Sequence, residues 1–246
     1  MDNTKYIALS RQMALWKQMN VVSNNVANMN TTGFKQEGTV FSTFVAQTMN
    51  AQGMGKEPVY FTQDLATYTD FLEGALVTTG NTFDVALQGD GFFAIETDNG
   101  TAYTRKGNFT LDRNGMIVTT DGYPVLSQNN EPLFIAPTEK EVLISEDGSV
   151  ATENGVIGRL NVVKFADNQK LIKRADTMFD NVEGNIVSSA DDVRVVQRSL
   201  EKSNVNSIEE MTKLIQLQRS YDFVQQMIDE EHDRISNTID AYTQLA

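Results

Sequence analysis

Apolar positions recur every seven residues over Ser207 to Ala246, a stretch without Pro or Gly. Leu214, Tyr221, Ile228, Ile235 and Tyr242 fall on one line, and Leu217, Val224, Glu231, Thr238 and Leu245 on the line beside it. Eight of these ten positions are apolar or aromatic. A 3.5-residue period held over four heptads predicts a helix that winds against another helix. At 1.5 Å per residue it would be roughly 60 Å long, so it is expected to project from its domain. Ser207 followed by Glu210 fits a capping box at its start.

A second seam runs through the beginning of the chain at Ala8, Gln12, Leu15, Met19, Val22, Val26 and Met29, six of the seven apolar. Its helix is predicted to stop in a polar cluster: Asn24, Asn25, Asn28 and Asn30, then Thr31, Thr32 and Gly33. Asn and Thr side chains compete for backbone hydrogen bonds, and glycine takes the left-handed conformation that ends helices. A helix stop needs the glycine and one Asn; it does not need four Asn within seven residues.

Between the two seams the period changes. Residues 47–57, with Gly53 and Gly55, read as a flexible connection, and Glu57 to Phe61 as a short strand starting at Pro58. From Phe83 to about Val187 short apolar runs (DVAL, GFFAIE, TAYTR, NFTL, MIVT) are separated by Asn99-Gly100, Asn114-Gly115 and Asp121-Gly122. Such dipeptides favour the tight turns of antiparallel hairpins. Val193 to Leu200 reads as a short helical or extended piece. The expected fold class is α+β, with long N- and C-terminal coiled-coil-forming helices flanking a mainly antiparallel β domain. The expected segments are an N-terminal assembly helix over 1–32, a connection over 33–79, the β domain over 80–187, a connection over 188–206 and a C-terminal assembly helix over 207–246.

Charge and composition remove functions rather than add them. Twenty basic against 33 acidic residues give a formal charge of −13, which opposes binding to nucleic acid or anionic lipid. The absence of Cys rules out disulfides, thiolate metal sites and a Cys nucleophile. The single His, His232, lies in an acidic helical run and reads as solvated. Asp112-Arg113-Asn114-Gly115 looks like the start of a calcium loop, but its twelfth position is Tyr123, so a hairpin turn fits better. Asp84, Asp90 and Asp98 lack an identifiable acid/base partner, and no nucleotide, hydrolase or zinc-protease motif occurs. The expectation is no catalytic residue, no metal and no cofactor. No apolar run reaches the length of a membrane span, and the first residues lack the features of a secretory signal.

The segment MNVVSNNVANMNTTGFKQ resembles the N-terminal signature of the axial proteins of the bacterial flagellum, the rod and hook proteins; it carries Asn24, Asn25, Asn28, Asn30, Gly33 and Phe34. The stretch from Gly74 to Leu126, with DVAL, GDGFF (Gly89, Gly91, Phe92), YTR, GNF and DGYPVL, is similar to the family's core. SNVNSIEEMTKLIQLQRSYD, with Gln218 and Arg219, resembles its third signature. Met29, where the family often has Ala, and Trp16 are small departures.

The resemblance implies a structural subunit and no enzyme. Its terminal helices would form the inner layer of a tube, with the β domain outside. It also implies self-assembly, contacts with other rod and hook-basal-body proteins, and unfolded export through the flagellar type III apparatus into the periplasmic space without a cleaved signal. Leu15, Met19, Val22 and Val26, with Leu214, Leu217, Tyr221, Val224 and Ile228, are the expected assembly interface. The length suits a rod subunit, proximal ahead of distal. The alternatives are a distal rod or hook subunit, a periplasmic adhesin or binding protein, and, last, a wall-remodelling hydrolase.

Overall fold

The computed structural model describes residues 2–49, 56–136, 139, 141–174, 177–182, 185, 187–190 and 192–244. Its chain divides into two compact units, each assembled from separate stretches of sequence. The first takes residues 1–27, 37–69 and 206–246; the second takes 28–36 and 70–205.

The first unit holds α1 (Asp2–Ala27), an antiparallel hairpin of β1 (Glu37–Met49) and β2 (Lys56–Thr69), and, at the far end of the chain, α2 (Ser207–Gln244). The two helices pack on each other, and α1 also packs on the hairpin. Asn25 meets Glu210, and Gln12 meets Gln225, so the helices run antiparallel. In that register α2 continues about ten residues, roughly 15 Å, past the start of α1. The helix cap differs from the expected box. Asn206 is the cap: its Oδ1 accepts from the N–H groups of Ile208 (3.2 Å) and Glu209 (3.4 Å). Glu210, the residue expected to reach back, is instead buried with a partner on α1.

Among its described residues the second unit is built of strands, with a 3-10 turn at Asn168–Lys170. In chain order its strands are β3 (Leu76–Thr78), β4 (Val85–Gln88), β5 (Phe92–Thr97), β6 (Gly100–Thr104), β7 (Phe109–Leu111), β8 (Ile117–Thr119), β9 (Val142–Ile144) and β10 (Ser149–Thr152). There follow β11 (Gly155–Arg159), β12 (Val162–Phe165), β13 (Ile172–Lys173), β14 (Met178–Asp180), β15 (Val187–Ser189), β16 (Arg194–Gln197) and β17 (Ser199–Glu201). Six form one sheet in the order β13-β14-β6-β5-β12-β15. β11-β10-β9 form a second sheet, and the pairs β7–β8, β4–β16 and β3–β17 complete the unit. Every one of these pairings is antiparallel.

Successive side chains of a strand point to opposite faces, and β5 uses this to bury two phenylalanines in a row. Phe93 and Ile95 enter the main core with Val85, Leu87 and Phe109, where Phe93 meets Phe109 edge to face at 5.1 Å. Phe92 enters a second cluster with Phe165 and Phe179. A central strand covered on both faces explains why GFFAIE reads as a continuous apolar run. The Asp112 turn joins β7 to β8, its Oδ1 accepting from the N–H groups of Asn114 and Met116 (both 2.8 Å).

The expected fold class needs correction. The described residues contain two α-helices, one at each end, and the rest of the chain is strand-rich rather than one β domain flanked by helices. Strand reaches into the helical unit itself: β1 and β2 run over 13 and 14 residues and group with α1 and α2. The physical reason is the composition of 37–69, where Val, Thr, Tyr and Phe recur without a helical period; these residues suit a pleated surface. The expected strand at Glu57–Phe61 is part of the longer β2, and Val193–Leu200 is extended, in β16 and β17. Residues 50–55 of the expected flexible connection lie outside the described residues.

Candidate functional site

No group of three or more His, Asp or Glu side chains among the described residues could hold a metal ion. What the signatures build instead is two polar junctions and a pair of helices.

The junction in the helical unit is centred on Asn25. This side chain is buried at the end of α1, where its Nδ2 donates to the Glu37 carbonyl (2.8 Å) and to Glu210 Oε2 (3.0 Å), while its Oδ1 accepts from the Glu37 N–H (3.0 Å). A primary amide has both donors and an acceptor, so one Asn joins the end of α1, the start of β1 and the first turn of α2. The other oxygen of Glu210 accepts from Lys213 at 2.8 Å, and that bond holds the Lys213 ammonium above the ordinary lysine range. Asp or Ala at position 25 could not make this set. Of the other signature asparagines, Asn24 and Asn30 are exposed and Asn28 is half-buried. The Asn28 carbonyl accepts from Thr31 N–H (3.1 Å), closing the turn after α1.

The junction in the strand unit is a buried ion cluster. Lys35 and Glu201 are each 1% exposed and Arg105 2%. Lys35 Nζ lies 2.7 Å from Glu201 Oε1 and donates to the carbonyls of Leu72 (2.7 Å) and Phe71 (3.3 Å). Arg105 lies 3.4 Å from Glu201 Oε2, donates to the Gly89 carbonyl (2.8 Å), and stacks on Phe92 at 5.3 Å. Glu201 also accepts from Gly74 N–H (2.9 Å). Burial pushes the Lys35 ammonium below its usual range, and the Glu201 charge offsets this in part. Two cations share one buried carboxylate, with half-exposed Asp90 3.8 Å from Arg105 and the charge of Glu73 also acting on Lys35.

The expected signature residues on these segments form the walls of that cluster. Gly33 adopts φ +67, and a Cβ there would lie 2.5 Å from the Arg105 carbonyl carbon, so no other residue fits. Phe34 is buried with Lys173 Nζ 3.8 Å above its ring. Gly89 takes φ +113, presenting its carbonyl to Arg105, and a Cβ on Gly91 would press Val162 at 3.0 Å. Asn204 completes the junction: its Oδ1 accepts from Gln36 N–H (2.8 Å) and its Nδ2 donates to the Asp70 carbonyl (2.9 Å).

The two helices pack on each other, and the seam residues differ in burial. Leu15 and Val224 are buried, and Met19, Val22, Val26, Leu214, Leu217, Tyr221 and Ile228 are half-buried, while Gln218 and Arg219 are exposed. Sequence reasoning missed three charged residues, Lys35, Arg105 and Glu201, and assigned Glu210 to the helix cap rather than to Asn25. It also missed a second apolar stripe, Tyr6, Leu9, Met13 and Trp16 on α1 and Ile208, Met211 and Ile215 on α2, all exposed.

Two helices packed on each other with a second apolar face left open fit a structural subunit of a larger assembly. Comparison with known proteins gives the same class. The family described as "Flagella basal body rod protein" matches residues 6–35, "Flagellar hook protein FlgE/F/G D1 domain" matches 86–152, and "Flagellar basal body rod FlgEFG protein C-terminal" matches 196–241. The chain is 37% identical over 229 residues to the flagellar basal-body rod protein FlgF of Caulobacter vibrioides, covering 93% of each protein. It is 34% identical to FlgF of Rhizobium meliloti over 242 residues, 98% of each. To FlgG of Bacillus subtilis it is 32% identical over 243 residues, 88% of this chain and 90% of that protein. The chain belongs to the flagellar basal-body rod protein family and is FlgF-like. It is a structural subunit of the flagellar rod, not an enzyme, and it assembles with other rod and hook proteins.

Proposed function

We propose that this chain is a subunit of the proximal part of the rod and that its helical unit builds the shaft that carries motor torque. The observation that carries the reading is the open stripe of that unit. Tyr6, Leu9, Met13 and Trp16 recur at intervals of three and four along α1, so they share one face; Met13 is 66% exposed and Trp16 59%. A contiguous apolar face on a soluble unit is a mark of an interaction surface. The seam of Leu15, Met19, Val22, Val26, Leu214, Leu217, Tyr221, Val224 and Ile228 then closes α1 on α2 within each subunit, and the stripe docks subunit to subunit. A head-to-tail contact whose rotation does not close yields an open helical tube.

In this reading the chain is exported unfolded through the flagellar type III apparatus into the periplasmic space. N-terminal sequencing of the assembled subunit, with residues 2–6 retained, would support export without cleavage. The decisive experiment introduces Met13→Glu and Trp16→Glu and assays the subunit in purified basal bodies. The expected result is loss of incorporation and motility, with an unchanged circular dichroism spectrum. Normal rods built from that variant would refute the role of the stripe.

A further inference from the structure

Asn-Gly occurs three times in the strand unit, at Asn99-Gly100, Asn114-Gly115 and Asn154-Gly155. Two of the turns are built alike. Thr97-Asp98-Asn99-Gly100 joins β5 to β6 and Thr152-Glu153-Asn154-Gly155 joins β10 to β11, each with its Thr opposite its Gly. In each the Thr Oγ1 donates to the Gly carbonyl, at 2.7 Å and 3.4 Å. Asn99, Gly100, Asn154 and Gly155 are exposed, and neither Asn side chain has a hydrogen bond among the described residues. A Cβ placed on either glycine would meet nothing within 4 Å. The third turn is closed. Asn114 donates its backbone N–H to Asp112 Oδ1 (2.8 Å) and its Nδ2 to Asp112 Oδ2 (3.1 Å). Gly115 is buried: its N–H donates to the Asp112 carbonyl (3.2 Å), its carbonyl accepts from Ile135 N–H (2.7 Å), and a Cβ there would strike the Ile135 carbonyl.

We propose that Asn99 and Asn154 are sites of self-modification, converting to aspartate and isoaspartate in the folded chain, while the turn around Asn114 holds that residue unreactive. The chemistry needs only this chain and water. The backbone nitrogen of the following glycine loses its proton to hydroxide and attacks the Asn Cγ; the Cγ–Nδ2 bond breaks, and ammonia leaves. A succinimide ring remains. Water adds to one of its two carbonyls and opens it, giving aspartate if the original peptide bond is kept and isoaspartate if the new bond from the glycine nitrogen to Cγ is kept. In sum, an amide and a water become a carboxylate and an ammonium ion. Glycine permits the attack because it has no Cβ to crowd the approach and its backbone turns freely. The ends of hairpins, with hydrogen bonds exposed to solvent, are where a strand opens most readily. At Asn114 the same motion would break the bonds to Asp112 and lift a buried glycine from Ile135. Each conversion adds a negative charge beside one already present, Asp98 or Glu153, and isoaspartate also inserts a carbon into the backbone of the turn.

The test begins with the unaltered chain. Purified full-length protein is incubated, native and in urea, at mildly alkaline pH in water enriched in the heavy oxygen isotope, and its peptides are mapped by mass spectrometry. Isoaspartate is counted separately, by methyl transfer from S-adenosylmethionine with a protein isoaspartate methyltransferase. In the native chain Asn99 and Asn154 should take up the label and yield isoaspartate at least about tenfold faster than Asn114, the scale set by having to break the Asp112 hydrogen bonds before the ring can close. In urea all three should convert at similar rates, since the turns no longer exist. A native chain in which Asn114 converts as fast as the other two overturns the proposal. So does one in which none of the three converts while all do in urea, because the open turns would then protect as well as the closed one. Asp112→Ala, its fold checked by circular dichroism, should speed conversion at Asn114; an unchanged rate in the folded variant overturns the role given to Asp112. These readouts are taken on the isolated chain and do not depend on its place in the rod.

Discussion

Glu201 does the work of several residues: its two oxygens meet Lys35, Arg105 and the Gly74 N–H in a site closed to water. Removing one member of a buried ion cluster leaves the others charged and unpaired, which costs about 3–5 kcal/mol. Glu201→Gln should therefore lower the unfolding free energy by about that amount in a urea titration, while Asp90→Asn, at a half-exposed position, should change it little. A second expectation concerns protons. Burial depresses the Lys35 pKa below the ordinary 10.5, with Glu201 opposing the shift. The folded state then holds this proton less tightly than the unfolded chain. The contribution of Lys35 is least favourable below the depressed value and improves as pH rises toward 10.5. Stability relative to Lys35→Met should climb over that window, and in a lysine-resolved NMR titration Glu201→Gln should move the Lys35 transition further down. These residues escaped the sequence reading for a plain reason: Lys, Arg and Glu are almost never fully buried unless paired, and the pairing joins two signatures to Glu201, which lies outside the third. The signal was present in GFK and YTR, where a charge sits inside an otherwise apolar or glycine-rich signature. Asn25, by contrast, stood in a cluster that already exceeded the needs of a helix stop, though its partners Glu37 and Glu210 could not be read.

At the scale of elements, the heptads were legible because one apolar line repeats along each helix, and the structure packs α1 on α2 with Leu15 and Val224 buried. The second stripe was not, because α1 carries apolar residues on two lines and the seven-residue count selects only one. The hairpin β1–β2 was hidden for another reason: its strands, 13 and 14 residues long, exceed the usual five or six, and residues 47–57 with their glycines read as a flexible connection. The seam carries its own prediction. Leu217→Glu or Ile228→Glu places a charge on the half-buried face of α2. Either should abolish incorporation into the rod, while the near-ultraviolet circular dichroism of the strand unit is retained, since no strand of that unit belongs to α2. Motile cells carrying either variant would contradict this.

At the scale of the molecule, the antiparallel hairpins of the strand unit followed from the Asn-Gly and Asp-Gly spacing. The division into two units did not, since it depends on where the chain crosses and not on any local period. Four crossings, near residues 27, 36, 69 and 205, make both units discontinuous. The strand unit is closed by segments from its two extremes: β16 pairs with β4, β17 with β3, and Glu201 lies 166 residues from Lys35. Truncation after Asn206 should leave a cooperatively folding strand unit, whereas truncation after Asp192 should yield a chain without dispersed amide resonances, although it loses few core residues.

That closure also sets an order of events. In the unfolded export proposed above, a subunit would emerge one end first, and whichever end led, Lys35 and Glu201, 166 residues apart, could not meet until the segment between them had come through. Long-range closure of this kind is intrinsically slow, because loop entropy must be met before the contact rewards it. Under that proposal the ion cluster is a clock as much as a brace: while either end was in transit the chain would have no completed strand unit, and arrival of the last partner would mark the moment at which a rod subunit could become one.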